Sequence, residues 1–381
     1  MGGNVARRML SALPVTGTCG TAVPLRLIEP IPDVIARFPS TRYYGSKRRL
    51  LAWIHSHLST IRFNTVLDAF GGTGSVSLLF KAMRKQVTYH DGFSFNEDIG
   101  RTVLADQPSL RRVDVVELLD AVRPRTGVVS EHFSGIFFND EENAWLDGFA
   151  NLLTTQVCPP EGRALLRYLI YQACVKKRPF NLFHRANLKL RTNQTVQRSF
   201  GNAVTWERSF THHALQAYDE LVHNGPVLGG SVSVLPSGNA EDVATGYDLV
   251  YIDPPYVGVQ DRYNRDDYWR RYHFLEGLAR YEQWGSLIDL SSDIRLFAPP
   301  PWFAEWARTR TFKDRLFSFI DAHRHSIVVL SYVSAAFPSE SEIMARFEAR
   351  FPRVSVHSAE HTHALSKVRK RELLFIGYPR R

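Results

Sequence analysis

Apolar positions recur at helical spacing after Ser46, where Leu50, Leu51, Ile54 and Leu58 share one face and Ser46 stands ready to cap it. The pattern then shortens to Thr65-Val66-Leu67-Asp68-Ala69-Phe70, a run too brief for a helix and read as a buried strand. Gly71-Gly72-Thr73-Gly74 follows, and helical spacing returns with Val76, Leu79, Phe80 and Met83. A second strand is expected over Gln86 to His90, ending at Asp91. From about 95 to 235 the pattern is mostly helical and mixed. Strand character resumes at Asp248-Leu249-Val250-Tyr251-Ile252, which leads into Asp253-Pro254-Pro255-Tyr256. It recurs over Ser326 to Tyr332, with a helix around Ser341 to Phe351 and closing strands at Val354 to His357 and Leu373 to Tyr378. Strands alternating with helices imply an open parallel sheet, so the expected fold class is α/β: one doubly wound sheet interrupted by a mostly helical insertion. The expected units are an N-terminal extension, 1–40, punctuated by five prolines; a sheet domain, 41–100 with 236–381; and the insertion, 101–235.

Composition narrows the class. With 44% hydrophobic and 22% charged residues over 381 positions, the chain is globular rather than disordered. Its formal charge of +9 favours a polyanionic partner, because each neutralised phosphate releases a counterion. No apolar run is long enough to span a bilayer, so a membrane is not expected. Cys19, Cys158 and Cys174 are odd in number, without framework spacing, and fit a reducing compartment. Met1 to Cys19 makes a poor signal peptide, and a cytoplasmic location is expected.

Two turns carry candidate chemistry. Asp68 to Gly74 sits where an open α/β sheet receives its ligand, and its glycines let a cofactor approach the backbone. Alone it also fits a nucleotide-cofactor enzyme or a tight turn without a ligand; Ser77 replaces the third glycine of the dinucleotide pattern. The second turn, Asp253-Pro254-Pro255-Tyr256, follows a buried-looking strand. Two prolines remove two N–H groups, leaving acceptors: the Asp253 carboxylate and the Pro254 carbonyl, with Tyr256 as a flat face beside them. Paired acceptors next to an aromatic plate suit a planar ring bearing an NH2 group. Hydrogen bonds from that amine can localise its lone pair toward an incoming methyl group, and in-line positioning then lowers much of the barrier. The bland alternative is a Pro-Pro turn with Tyr256 in the core.

Between the two turns lies a basic, aromatic stretch from Lys176 to Arg208 with eight Lys/Arg and one acid, Glu207. Lys176, Lys177, Arg178, Arg185, Lys189, Arg191 and Arg198 are the candidate phosphate and base contacts; a solvated basic face is the competing reading. A second cluster, Lys367, Arg369, Lys370 and Arg371, precedes the last strand. No metal site is expected: His357, His361 and His363 lack a nearby cysteine or close carboxylate and read as solvated.

In these motifs the chain resembles the Dam-like, alpha-group adenine-specific DNA methyltransferases. Their order is a Lys-containing motif, a glycine motif, a target-recognition region and Asp-Pro-Pro-Tyr. Arg42-Tyr43-Tyr44-Gly45-Ser46-Lys47 resembles the first of these, and Asp68, Phe70, Gly72 and Gly74 match the second. The resemblance implies a Rossmann-like methyltransferase sheet with an inserted target-recognition domain, S-adenosylmethionine as cofactor and double-stranded DNA as substrate. It further implies that Tyr43, Lys47, Asp68, Phe70, Gly72, Gly74 and Asp253 contact the cofactor, with Asp91 on its ribose and Asp242 (or Asn239) on its adenine. Asp253, Pro254, Pro255 and Tyr256 would act on the base. Adenine N6 is the expected target and cytosine N4 the alternative, because Asp is typical of the adenine enzymes at the first position of the turn. A cognate restriction endonuclease is a conceivable companion. Rival readings are a catalytically silent nucleic-acid-binding protein, an RNA methyltransferase and a nicotinamide oxidoreductase. Intact Asp253 and Tyr256, the lack of an RNA-binding module and the absent third glycine speak against them in turn.

Overall fold

A computed structural model describes residues 31–38, 46–156, 158–178, 182–192, 203–223, 227, 229–257, 267–361 and 370–380. Among these residues seven strands form one sheet: β1 (Thr65–Asp68), β2 (Gln86–Tyr89), β3 (Val232–Val234), β4 (Leu249–Ile252), β5 (Ile327–Val333), β6 (Arg353–His361) and β7 (Lys370–Tyr378). Their order is β3-β2-β1-β4-β5-β7-β6. All neighbours run parallel except β7, which enters antiparallel between β5 and β6. The order reverses between β1 and β4, so the carboxyl ends of these two strands flank the crevice where open α/β sheets bind ligands.

Alternation along the central strands fills both faces. Val66, Leu249, Tyr251 and Val329 pack on one side, with the helices Leu51–Leu58 and Ser75–Ala82. Leu67, Val250, Ile252, Val328 and Leu330 pack on the other, with Thr309–Ala322 and Glu340–Arg350. β4 is buried along its whole length, as a parallel strand covered on both faces must be.

The chain between β2 and β3 forms a helical body around Asp140–Thr155, Pro160–Lys176 and Phe210–His223. Asn139 and Glu142 start the first of these with a reciprocal capping box. Two boundaries differ from the sequence reading. β3 pairs with β2 although it lies inside the range expected for the insertion; its three residues give too little alternation to be read as a strand. The chain after β4 contributes Tyr268–Ala279 and Tyr281–Leu287 to the helical body rather than to the sheet. The ring of Phe274 packs on Phe133, Phe137 and Phe183 at 5.2, 5.3 and 4.9 Å, so two stretches separated by β3 and β4 share one core. Among the described residues no helix is long and apolar enough to cross a membrane.

Candidate active site

The glycine turn is built by close packing. Gly71 accepts no side chain, because an added Cβ would lie 2.1 Å from the Tyr89 ring. Gly74 has φ +72°, the left-handed region, and starts the helix Ser75–Ala82. The Tyr89 hydroxyl donates to the Gly72 carbonyl at 2.7 Å, and the Gly71 N–H donates to the His90 carbonyl at 2.8 Å, so the turn is laced to the end of β2. Asp91 completes the lacing: Oδ2 accepts from Gly72 N, and Oδ1 accepts from Phe93 N and Asn96 Nδ2, each at 2.9 Å. Burial raises the Asp91 pKa against these bonds. Ser77 donates to Asp68 Oδ2 at 2.7 Å, so the residue in place of the third glycine orients the acid that ends β1. Burial pushes Asp68 up to about 7, and the Asp253 and Asp91 carboxylates add to the shift.

Lys47 leaves the first helical turn and buries its ammonium under the Asp-Pro-Pro-Tyr turn. Its Nζ lies 2.9 Å from Asp253 Oδ1, 2.9 Å from Glu372 Oε1 and 2.5 Å from the Tyr256 hydroxyl. Burial opposes the charge of Lys47, yet the two carboxylates outweigh it and its pKa is raised. The Tyr256 hydroxyl also sits 3.1 Å from Asp253 Oδ1 and 2.9 Å from Glu372 Oε1. Burial raises Asp253 to about 6; Glu372 adds to the rise and Lys47 opposes it. Near neutrality the Asp253 carboxylate is therefore mostly an acceptor.

One cleft joins these parts. Lys47, Asp68, Phe70, Gly71, Gly72, Asp91, Asp253, Pro254, Pro255 and Tyr256 all line it. Its unfilled space, the open mouth included, is about 930 Å³. Tyr268, Trp302, Phe303 and Trp306, all contributed between β4 and β5, wall it with aromatic rings. Trp302 and Phe303 sit so close to Gly92 that an added Cβ would meet them at 3.3 and 3.4 Å. Trp306 packs edge-on against Phe70, with 5.1 Å between ring centroids.

Several expected residues fall elsewhere. Gly74 does not line the cleft; it sets the helix start behind it. Asp242 is exposed and outside the lining, to which its neighbours Gly238 and Ala240 belong instead; Asn239 accepts from Trp306 Nε1 at 3.2 Å. Tyr43 and Arg198 lie outside the described residues.

The basic segment divides. Lys177 and Arg178, expected on DNA, are 1% exposed and engaged inside the helical body. Lys177 pairs with Glu142 at 2.7 Å, and Arg191 pairs with the same carboxylate at 2.7 Å. Arg178 stacks over Phe137 and Phe183 and donates to Leu182 O, Arg185 O and Asn187 Oδ1 at 2.8, 3.1 and 2.8 Å. Lys177 and Arg178 are thus committed to partners inside the helical body, where a phosphate could reach them only by dismantling that packing, whereas Arg191 is half-buried on the same Glu142 carboxylate. Lys176 is half-buried beside Gln216 and Glu220. Arg185 and Lys189 are exposed on the segment that Arg178 organises. In the second basic cluster, Arg371 is exposed and pairs with Glu340 at 3.1 Å; Lys367 and Arg369 lie outside the described residues. Of the histidines, His357 stacks on His57 at 3.9 Å. No group of three or more potential metal ligands converges among the described residues.

Sequence reasoning missed Glu372, Ser331 and the aromatic wall. The signal for Glu372 was a lone acid opening the apolar run Leu373-Leu374-Phe375-Ile376.

Fold and site together define a Rossmann-like methyltransferase with an acceptor-lined turn suited to a ring amine. The sequence model of the family described as D12 class N6 adenine-specific DNA methyltransferase matches residues 43–283. The chain belongs to that family and is an adenine-specific DNA methyltransferase. It is 23% identical over 354 residues to the Type II methyltransferase M2.HphI of Haemophilus parahaemolyticus, covering 89% of this chain and 98% of that protein. It is 24% identical over 258 residues to the Type II methyltransferase M.NlaIII of Neisseria lactamica, covering 63% and 69%. A solved structure of the rRNA methyltransferase aviRa from Streptomyces viridochromogenes aligns over 91% of this chain and 92% of its own, at 11% identity and a TM-score of 0.27. So slight a likeness carries no weight here.

Proposed function

We propose that the chain uses S-adenosylmethionine to methylate N6 of an adenine flipped out of double-stranded DNA at a specific sequence, as the modification partner of a cognate restriction endonuclease in the cytoplasm. The observation that carries the chemistry is that the glycine turn and the Asp253–Tyr256 turn line one cleft. Among the described lining residues, the acids Asp68, Asp91 and Asp253 against the ammonium of Lys47 suit a ligand bearing a sulfonium and an ammonium, whose positive charges favour the ionised form of the raised carboxyls. Bound there, S-adenosylmethionine would supply an electrophilic methyl group, with a neutral thioether as the leaving group. Asp91 and the Gly71–Gly72 backbone hold the cofactor, and the aromatic wall excludes water from it. Asp253 and the Pro254 carbonyl accept the two N–H bonds of the adenine amine, orienting its lone pair, while the Tyr256 ring stacks on the extruded base. As the new C–N bond forms, the amine becomes cationic; the Asp253 carboxylate stabilises that charge and takes the proton it sheds. Arg185 and Lys189 meet the DNA backbone. The restriction partner rests on the Type II relatives alone.

Calorimetric titration with S-adenosylmethionine tests the cofactor assignment. Binding by the native chain and its loss in Gly72→Trp are expected. No binding by the native chain, or unchanged binding by the variant, would remove the cleft from the account.

A further inference from the structure

Glu372 is a buried group in direct contact with the catalytic turn, and the proposed reaction leaves it without a role. It enters from β7, the antiparallel strand inserted beside β5, and is 3% exposed. Its Oε1 is a meeting point of three donors from three parts of the fold: Lys47 Nζ at 2.9 Å, the Tyr256 hydroxyl at 2.9 Å and Ser331 Oγ at 3.0 Å. A carboxylate buried at the edge of an apolar strand is costly unless it is paired and hydrogen-bonded, and here every described contact runs toward the turn or its support.

We infer that Glu372 is a positioning residue for methyl transfer: it anchors the Tyr256 hydroxyl and shares the Lys47 ammonium, which fixes the plane of the Tyr256 ring and keeps Asp253 facing the cleft. The inference rests on the reading of Asp253–Tyr256 as the catalytic turn. Tyr256 has one rotatable ring, and tying its hydroxyl inward sets the stacking surface before a base arrives, so the ordering cost is met in the folded protein. Lys47 is divided between two carboxylates at equal distance, so Asp253 does not hold the ammonium alone. Among the described residues, the groups that face Asp253 include Lys47 from the first helical turn, Glu372 from β7, Tyr256 of its own turn, Tyr251 from β4 and Asp68 from β1. Glu372 raises the Asp253 pKa through its charge, so the two carboxyls are electrostatically linked as well as bridged.

Glu372→Gln keeps the shape and an acceptor oxygen while removing the charge. Turnover should fall by about tenfold, the worth of one charge-assisted hydrogen bond, with KM for DNA nearly unchanged. The loss should shrink when Tyr256→Phe is already present, since the two act through one contact. A purely structural role would not move the pH profile. Positioning with a shared charge should: without the Glu372 carboxylate, Asp253 ionises more easily and the acid limb of kcat shifts to lower pH. Rates are normalised to folded protein, so instability of the variant does not enter. An acid limb that stays in place, or losses that multiply independently in the double variant, would overturn the inference. Asp253→Ala is assayed beside it: if that variant turns over normally, the catalytic turn itself is misassigned, whatever Glu372 does.

Discussion

Asp68→Asn should make the protein more stable at alkaline pH while impairing its site. Asp68 is fully buried at the end of β1, and its carboxyl is displaced from the ordinary value of 3.8 to about 7. A raised carboxyl pKa means that the folded state holds a proton the unfolded chain has already released, so between about pH 4 and 7 stability falls as pH rises. The shift is about three units, each worth about 1.36 kcal/mol, which sets the full penalty above pH 7 on the order of 4 kcal/mol. Asparagine is nearly isosteric, cannot ionise, and keeps an oxygen to accept from Ser77. The variant should therefore exceed the native protein in stability at pH 8 by up to about 4 kcal/mol, with the difference shrinking toward zero near pH 4. Urea unfolding of both proteins, without cofactor, at pH 8 and at the lowest pH both tolerate would measure it. A variant less stable than native at pH 8, or a difference that does not change with pH, would refute the reasoning.

Two further expectations follow from the division of the basic segment. Replacing Arg185 and Lys189 with Gln should weaken DNA binding and flatten its dependence on salt by about one unit of slope for each phosphate no longer neutralised; an unchanged slope in a filter or anisotropy assay would return both to a solvated face. Arg178→Met should instead act on stability, because three oxygens lose their donor; about 3 kcal/mol or more of unfolding free energy is expected from denaturant titration. Unchanged stability with lost DNA binding would restore Arg178 to the interface.

The central strands were legible because parallel strands covered on both faces read as short apolar runs: the strands expected at 65–70 and 248–252 are β1 and β4, each ending at a turn with its own chemistry. The Ser46 cap is also where it was expected, although the first turn, Lys47–Leu50, is 3-10 before the α-helix Leu51–Leu58 begins. β3 was missed because Val232-Ser233-Val234 offers only three positions, with no face buried strongly enough to impose a pattern. The shared core of the helical body was illegible for another reason. Phe274 meets Phe133, Phe137 and Phe183 across some 90 to 140 positions of chain, and no periodicity reports such a contact. Burial of Lys177 and Arg178 was hidden likewise, since a run of cations looks the same whether Glu142 and two phenylalanine rings or solvent await it. Glu372 depends on β7 crossing beside β5, which brings position 372 to Lys47 and Tyr256 through topology alone.

The central claim is that the Asp253 turn presents an adenine amine to the methyl donor. DNA methylated with a labelled donor, digested to nucleosides and resolved by mass, tests it directly when the native chain and Asp253→Ala are run side by side. The account expects label in N6-methyladenine with the native chain and none with the variant, although the variant still binds DNA and cofactor. Label in N4-methylcytosine, or near-normal labelling by Asp253→Ala, would contradict it.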